Sequence, residues 1–192
     1  MNKKVDEAVF RTSVAEAEPT EAEIVQKVLA GETAAYGEIF LRHRGRAFAL
    51  AYQYLRDREE AMDVVQDAFI KAYQNLGKFS VQRRFGPWLL TIVRNLSIDT
   101  IRKRKRISPD GLPEVLPDPG SAERTVQKVL KGEVWNALQG LSPEQREIIF
   151  LKDYQGHSYV EISQIVDIPL GTVMSRLHHA RKNLAAALSM KN

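Results

Sequence analysis

Apolar residues recur along this chain on three- and four-residue steps. Tyr36, Ile39, Phe40, Ala47, Phe48, Ala51 and Tyr54 form one such series, and Ala61, Val64, Val65, Ala68, Phe69, Ala72 and Leu76 form a second. Leu89, Ile92, Val93 and Leu96 form a third. That spacing lines one side of a helix, whereas a strand would alternate every second residue, and no such alternation is present. The predicted fold class is therefore all-α. Between Ile107 and Ser121 the periodicity stops, and Pro109, Pro113, Pro117 and Pro119 with Gly111 and Gly120 exclude a helix there. Two small helical domains follow from this, residues 22–106 and 123–192. A flexible Pro/Gly-rich linker over 107–122 joins them, and an acidic extension over 1–21, expected to be disordered, precedes them.

The second domain carries two helix-start signals. In Ser142-Pro143-Glu144-Gln145 the serine suits an N-cap, proline suits the first turn and glutamine can reach back to the cap. Ser158-Tyr159-Val160-Glu161 is a second capping box. These signals predict helices from Ser142 to about Tyr154, stopping at Gly156, and from Tyr159 to Val166. A turn over Asp167–Gly171 and a helix from Thr172 to about Leu188 complete the series. Ile162, Ile165, Ile168, Val173 and Leu177 then pack the last two helices across the turn as a helix-turn-helix. Thr172, Ser175, Arg176, His179 and Lys182 share the outer side of the final helix, Arg181 flanks it, and no acid follows Asp167. Thr172, Ser175 and Arg176, in the first turns, are the candidate base readers, and Arg181 and Lys182 suit the phosphate backbone.

Composition narrows the chemistry. The 192 residues contain no cysteine, which excludes disulfides, thiolate metal sites and a cysteine nucleophile. No run reaches the roughly 18 apolar residues of a membrane helix, and the first residues lack the apolar core of a secretion signal, so a cytoplasmic protein without membrane insertion is expected. The net charge is only +4, yet residues 83–106 hold 8 basic and 1 acidic side chains. So dense a block calls for a polyanion such as a nucleic-acid backbone. Within it Arg94, Arg102, Lys103 and Arg104 suit phosphates, and Asn95 and Asp99, one helical turn apart, offer contacts to base edges. Phe85 and Trp88 are candidates for stacking on unpaired bases. The preceding helix, Asp57 to Leu76, has an acidic flank of Asp57, Glu59, Glu60, Asp63 and Asp67 beside Gln66 and Phe69, which fits a protein partner better than DNA.

Four blocks, in this order, resemble the extracytoplasmic-function (ECF, group IV) sigma factors of the sigma-70 superfamily. They are Ala61 to Phe69; Phe85 to Leu89 with Arg94-Asn95-Leu96-Ser97-Ile98-Asp99; Leu141 to Arg146; and Gly171 to His178. The resemblance covers residues 22–190 and implies a transcription initiation factor. It would bind core RNA polymerase at the clamp helices of the largest subunit and the flap of the second-largest. Asp63, Val65, Gln66, Asp67 and Phe69 would form the polymerase-binding surface. Phe85, Trp88, Arg94, Asn95, Asp99, Arg102, Lys103 and Arg104 would recognise and melt the −10 element, including single-stranded DNA. Thr172, Ser175, Arg176, His179, Arg181 and Lys182 would read the −35 duplex. An anti-sigma factor is an implied partner, stress an implied trigger, and no cofactor or metal is implied. His179 stands where many relatives have arginine, and Pro87 where many have a polar residue.

Two other functions compete. A duplex-binding regulator would use residues 134–192 but leave the acidic helix and the aromatic basic segment without a role. A nucleic-acid enzyme would need clustered carboxylates or histidines, whereas His43 and His157 stand apart in sequence and Asp63 and Asp67 have no third carboxylate beside them. The sequence therefore reads as a non-enzyme.

Overall fold

The computed structural model describes residues 19–80, 82–107 and 132–189, and within them every regular element is helical. Residues 108–122 of the expected linker and residues 1–18 of the expected extension lie outside the described residues, and Ile107, expected to open the linker, instead ends a helix. The last residues of that extension are already part of the fold. Thr20 caps helix α1 (Glu21–Leu29) in a capping box with Glu23, and Ile24, Val25 and Val28 are buried.

Helix α2 (Tyr36–Leu55) ends where Arg56 takes a left-handed conformation (φ 56°). Asp57 then opens α3 (Arg58–Gln74) by accepting the Glu60 N–H at 2.9 Å. Ile39, Ala47, Leu50 and Ala51 of α2 and Ala61, Val64, Ala68 and Ala72 of α3 meet in the core. Their small residues at the contact bring the two helices close. Helix α4 (Phe85–Ile107) completes this first group by inserting Phe85, Leu89, Leu90 and Val93 against both. Gly86 lies so close to His43 that a Cβ there would fall 3.1 Å from the imidazole.

The second group comprises α5 (Gly132–Gln139), α6 (Pro143–Ile149), α7 (Tyr159–Val166) and α8 (Leu170–Ser189). Both predicted N-caps form: the Gln145 N–H donates to Ser142 Oγ, and Ser158 and Glu161 cap each other reciprocally. Gln145 itself turns elsewhere, its side-chain oxygen accepting from Asn183 of α8 at 3.2 Å. The helix begun at Pro143 widens into a π-turn over Phe150–Tyr154 before Gly156 (φ +77°) reverses the chain. Asp167, left-handed at φ 57°, ends α7, and Ile162 and Ile165 pack on Val173, Leu177 and Ala180 of α8. This is the expected helix-turn-helix.

The two groups are not separate beads. α4 packs on α7, and buried residues of both groups form one continuous apolar cluster. Polar ties cross the same seam: Arg94 to Glu147 (2.7 Å), Arg84 to Glu161 (2.9 Å) and the Gln155 amide to the Arg46 carbonyl (3.1 Å). Sequence periodicity locates a helix's apolar side but does not say which distant helix covers it, so this seam is new information.

Phe85 is 1% exposed at the start of the helix that touches both groups. Phe85→Ala is expected to cost about 3–5 kcal/mol in urea unfolding of the DNA-free protein, the range for emptying a packed aromatic site. A loss under about 1 kcal/mol would remove Phe85 from the core account.

Candidate nucleic-acid and partner interfaces

On α3 the acidic side faces solvent as expected, with Asp63, Gln66 and Asp67 all exposed. Phe69 does not join them. At 4% exposure it packs edge-on against Phe40 (ring centroids 4.8 Å apart) and Tyr36 (6.3 Å), and Tyr36 Oη donates to its backbone carbonyl at 2.7 Å. Burial, with Tyr73 beside it, pushes the Tyr36 hydroxyl pKa upward, so it stays a donor. Phe69 therefore positions α3 from inside. Val65, 6% exposed, reaches an open groove of about 330 Å³ between α2 and α3. Phe40, Phe48 and Met62 line it with Arg44, Arg58 and Gln66. Helical spacing alone assigns the two phenylalanines to the core. Their spacing with Arg44 between them, one turn each way, was the available signal for a mixed apolar and basic surface.

On α4 the aromatic residues pack on one another. Phe79, Phe85 and Trp88 form a triangle with ring centroids 4.8–5.6 Å apart. Phe85 is enclosed and unavailable to a base, which corrects its assignment as a stacking platform, and Trp88 is only partly buried. Asn95, Asp99, Arg102 and Lys103 face solvent, with Arg102 3.5 Å from Asp99. The other two assigned cations are engaged within the protein. Arg104 donates through Nε to Glu60 of α3 at 2.7 Å and reaches the Leu55 carbonyl at 3.4 Å. Arg94 is held by Glu147, itself 3% exposed. Burial works against the Arg94 charge, but Glu147 and Tyr54 outweigh it and hold the guanidinium protonated. Both arginines read as phosphate ligands because their partners lie 44 and 53 residues away.

On α8, Val173, Leu177 and Ala180 turn inward, leaving Ser175, His179, Arg181 and Lys182 exposed and Thr172 and Arg176 half-buried. No acid follows Asp167 in the sequence, yet one arrives from elsewhere: Asp153 accepts from Arg181 Nε at 3.2 Å. Arg181 is thus anchored on the π-turn. Met174, 52% exposed, joins the polar side chains on the outer surface.

Between the two groups lies a small cavity of about 130 Å³ lined by residues including Glu21, His43, Arg46, Arg84, His157 and Glu161. It brings together the two histidines that stand apart in sequence. His43 Nε2 is 2.9 Å from Glu21 Oε1, and His157 lies 3.2 Å from Gln155 Oε1 and 3.7 Å from Glu161 Oε2. Among the described residues no group of three or more histidines and carboxylates is placed to hold a metal, and no helix is long and apolar enough to cross a membrane.

Burial, helped by Arg46 and Arg84 and opposed by Glu161, lowers the His157 pKa below its usual value. The unfolded chain therefore binds more protons at this site. Its contribution to stability is complete above about pH 6.5 and declines as pH falls toward the lower folded-state value. Urea unfolding at pH 7.5, 6.5 and 5.5 should show that decline, and His157→Asn should flatten it in this window. An unchanged slope in the variant would assign the decline to other groups.

Comparison with known proteins extends over both groups. The family description Sigma-70 region 2 matches residues 39–107, and Sigma-70, region 4 matches residues 131–184. The ECF RNA polymerase sigma factor SigW of Bacillus subtilis is 32% identical over 183 residues, covering 85% of this chain and 94% of that protein. The ECF RNA polymerase sigma factor SigM of Mycobacterium tuberculosis is 33% identical over 175 residues, covering 91% and 88%. Among solved structures, the sigma factor RpoE in complex with the anti-sigma factor NepR, from Bartonella quintana, aligns with a TM-score of 0.68. That alignment has 28% identity and covers 82% of this chain and 98% of RpoE. CnrH in complex with the cytosolic domain of CnrY aligns at 0.67 with 24% identity, covering 89% and 98%, a likeness of fold.

Proposed function

The chain belongs to the ECF sigma factors of the sigma-70 superfamily, and from that premise we propose that α3, α4 and α8 carry its polymerase, −10 and −35 contacts respectively. It directs promoter-specific initiation by RNA polymerase, and RNA synthesis itself is the chemistry of the polymerase. The observation that carries the assignment is the order of exposed helix surfaces along one chain. An acidic side on α3 beside an apolar groove comes first, an Asn95–Asp99 surface with Arg102 and Lys103 second, and a helix-turn-helix surface third.

Asp63, Gln66 and Asp67, with Val65 at the groove, present charge and apolar area together to the clamp helices of the largest subunit. Phe69 supports them from beneath. Asn95 and Asp99 offer an amide and a carboxylate to the base edges of an unpaired strand, and Arg102 and Lys103 hold its backbone. Trp88, partly exposed, borders that surface. Unstacking a base costs a few kcal/mol, which pocket contacts of this kind offset. Thr172, Ser175 and Arg176 enter the major groove with the first turns of α8, and His179, Arg181 and Lys182 lie toward the phosphates. Region 2 spans residues 22–106 and region 4 residues 123–192, and the second group also meets the flap of the second-largest subunit. The protein works in the cytoplasm, where its template and polymerase are. An anti-sigma factor restrains it, a reading supported by the RpoE relative solved in complex with NepR.

Purified protein mixed with sigma-free core polymerase should co-elute with it and yield run-off transcripts from a subset of a promoter library. A folded protein that binds duplex DNA but never core polymerase would favour the plain regulator. Asp63→Ala with Gln66→Ala should weaken core binding while leaving duplex binding by the second group intact. If Arg176 reads a base, Arg176→Ala should relax preference at one −35 position at a cost of about 1–3 kcal/mol. Uniform weakening across all sequences would move Arg176 to the backbone contacts.

A further inference from the structure

The solvent-facing surface of α8 has two unlike edges. Val173, Leu177 and Ala180 fix the inner side, so at about 100° per residue the opposite side is centred near Ser175 and Lys182. One edge is polar and turned toward α6. Thr172 and Arg176 are half-buried there, and Asn183 donates to Gln145 at 3.2 Å. The Glu144 carboxyl of α6, lowered chiefly by hydrogen bonds at its own helix start, also senses the Arg176 charge.

The other edge is apolar. Met174 is 52% exposed and Leu170, one turn earlier, is 44% exposed, and neither belongs to the apolar core. Arg181, on the same side, is already held by Asp153. A single exposed apolar side chain needs no explanation. Two of them one turn apart, in the first two turns of α8, are a different matter, because a helix-turn-helix lays those turns against base edges. No acid follows Asp167, so nothing on the helix itself repels a phosphate backbone on either side of this strip.

We propose that Met174 determines −35 specificity by packing its thioether end on the C5-methyl group of a thymine in the major groove, with Leu170 extending the contact toward the helix start. The inference rests on the reading of α8 as the −35 helix and adds the chemistry of one of its contacts. The thymine methyl is the apolar mark on the edges that the four bases show in the major groove, where the rest of the code is written in donors and acceptors. Met174 brings no charge for a phosphate and no strong donor for a base, so what it can read is that methyl. Its three rotatable bonds let the thioether settle on a small apolar target. The readout surface is then polar at the Thr172 and Arg176 edge and apolar at the Met174 edge, with Ser175 between them.

Deoxyuridine is thymidine without this methyl, so it isolates the contact. The full-length chain, alone and assembled with core polymerase, selects its −35 site from duplexes randomised over one helical turn, and each thymine of that site is then replaced singly by deoxyuridine. Wild-type protein should lose about fourfold in affinity at one thymine, the worth of one buried methyl. Met174→Leu should keep that loss, whereas Met174→Ala should bind the thymine and deoxyuridine sites equally. Both substitutions are at an exposed position, so circular dichroism should match the wild type. A methyl effect that survives Met174→Ala, or no thymine at which the wild type responds, would overturn the proposal. So would a Met174→Ala chain that keeps its site preference but no longer co-elutes with core polymerase, which would give the strip to the polymerase. Methyl dependence shown by the chain alone, without co-elution with core, would sustain the Met174 contact and remove the sigma assignment. Selection of no site in either arm would remove α8 as a duplex reader, and the proposal with it.

Discussion

The burial of one edge of α4 is the constraint on which the rest of the molecule depends. Phe85, Leu89, Leu90 and Val93 are each 2% exposed or less, and they meet α2 and α3 on one side while the helix packs on α7 on the other. Once that edge is fixed, the remaining positions of α4 have little freedom. Arg94 and Arg104 fall where neighbouring carboxylates wait, and Asn95, Asp99, Arg102 and Lys103 fall in solvent. The helix is thus at once the spine of the first group and the contact with the second, and in the proposed reading it is also the surface offered to DNA.

Electrostatics follow from the same geometry. The basic block that dominates residues 83–106 is partly neutralised inside the protein, because Glu60, Glu147 and Glu161 each take one of its arginines. What reaches solvent is a smaller and more directional set of charges than the sequence count suggests. The exposed ties, such as Arg181 to Asp153, are worth under about 1 kcal/mol and are screened by salt. The buried Arg94–Glu147 pair is different. Its desolvation is offset only while both members remain together, which makes it sensitive to whatever changes the seam.

Much of the fold was legible in the sequence because helix ends are local. Asp57, Ser142 and Ser158 each satisfy backbone N–H groups within four residues, so a reader of the chain can place the starts of α3, α6 and α7 almost to the residue, while the change to a π-turn at Phe150 leaves no such local mark. The helix-turn-helix followed from apolar spacing for the same reason. What was not legible depends on distant partners. Phe69 and Phe85 looked like contact residues because an aromatic beside charged residues has the same local pattern whether it faces inward or outward. Arg181 looked free because Asp153 lies 28 residues away and reaches it only after the π-turn and α7 fold back. The groove lined by Phe40, Phe48 and Met62 was hidden because residues of two helices share it.

The central claim, that α4 opens promoter DNA through its solvent-facing polar positions, is tested most directly by permanganate reactivity of thymines on a promoter bound by core polymerase and this protein. With the wild-type chain, unpaired thymines should appear just upstream of the transcription start. Asn95→Ala combined with Asp99→Ala should abolish them while protection of the −35 duplex persists. Equal reactivity with the double variant, with both proteins folded and bound to core, would contradict the assignment of strand capture to α4.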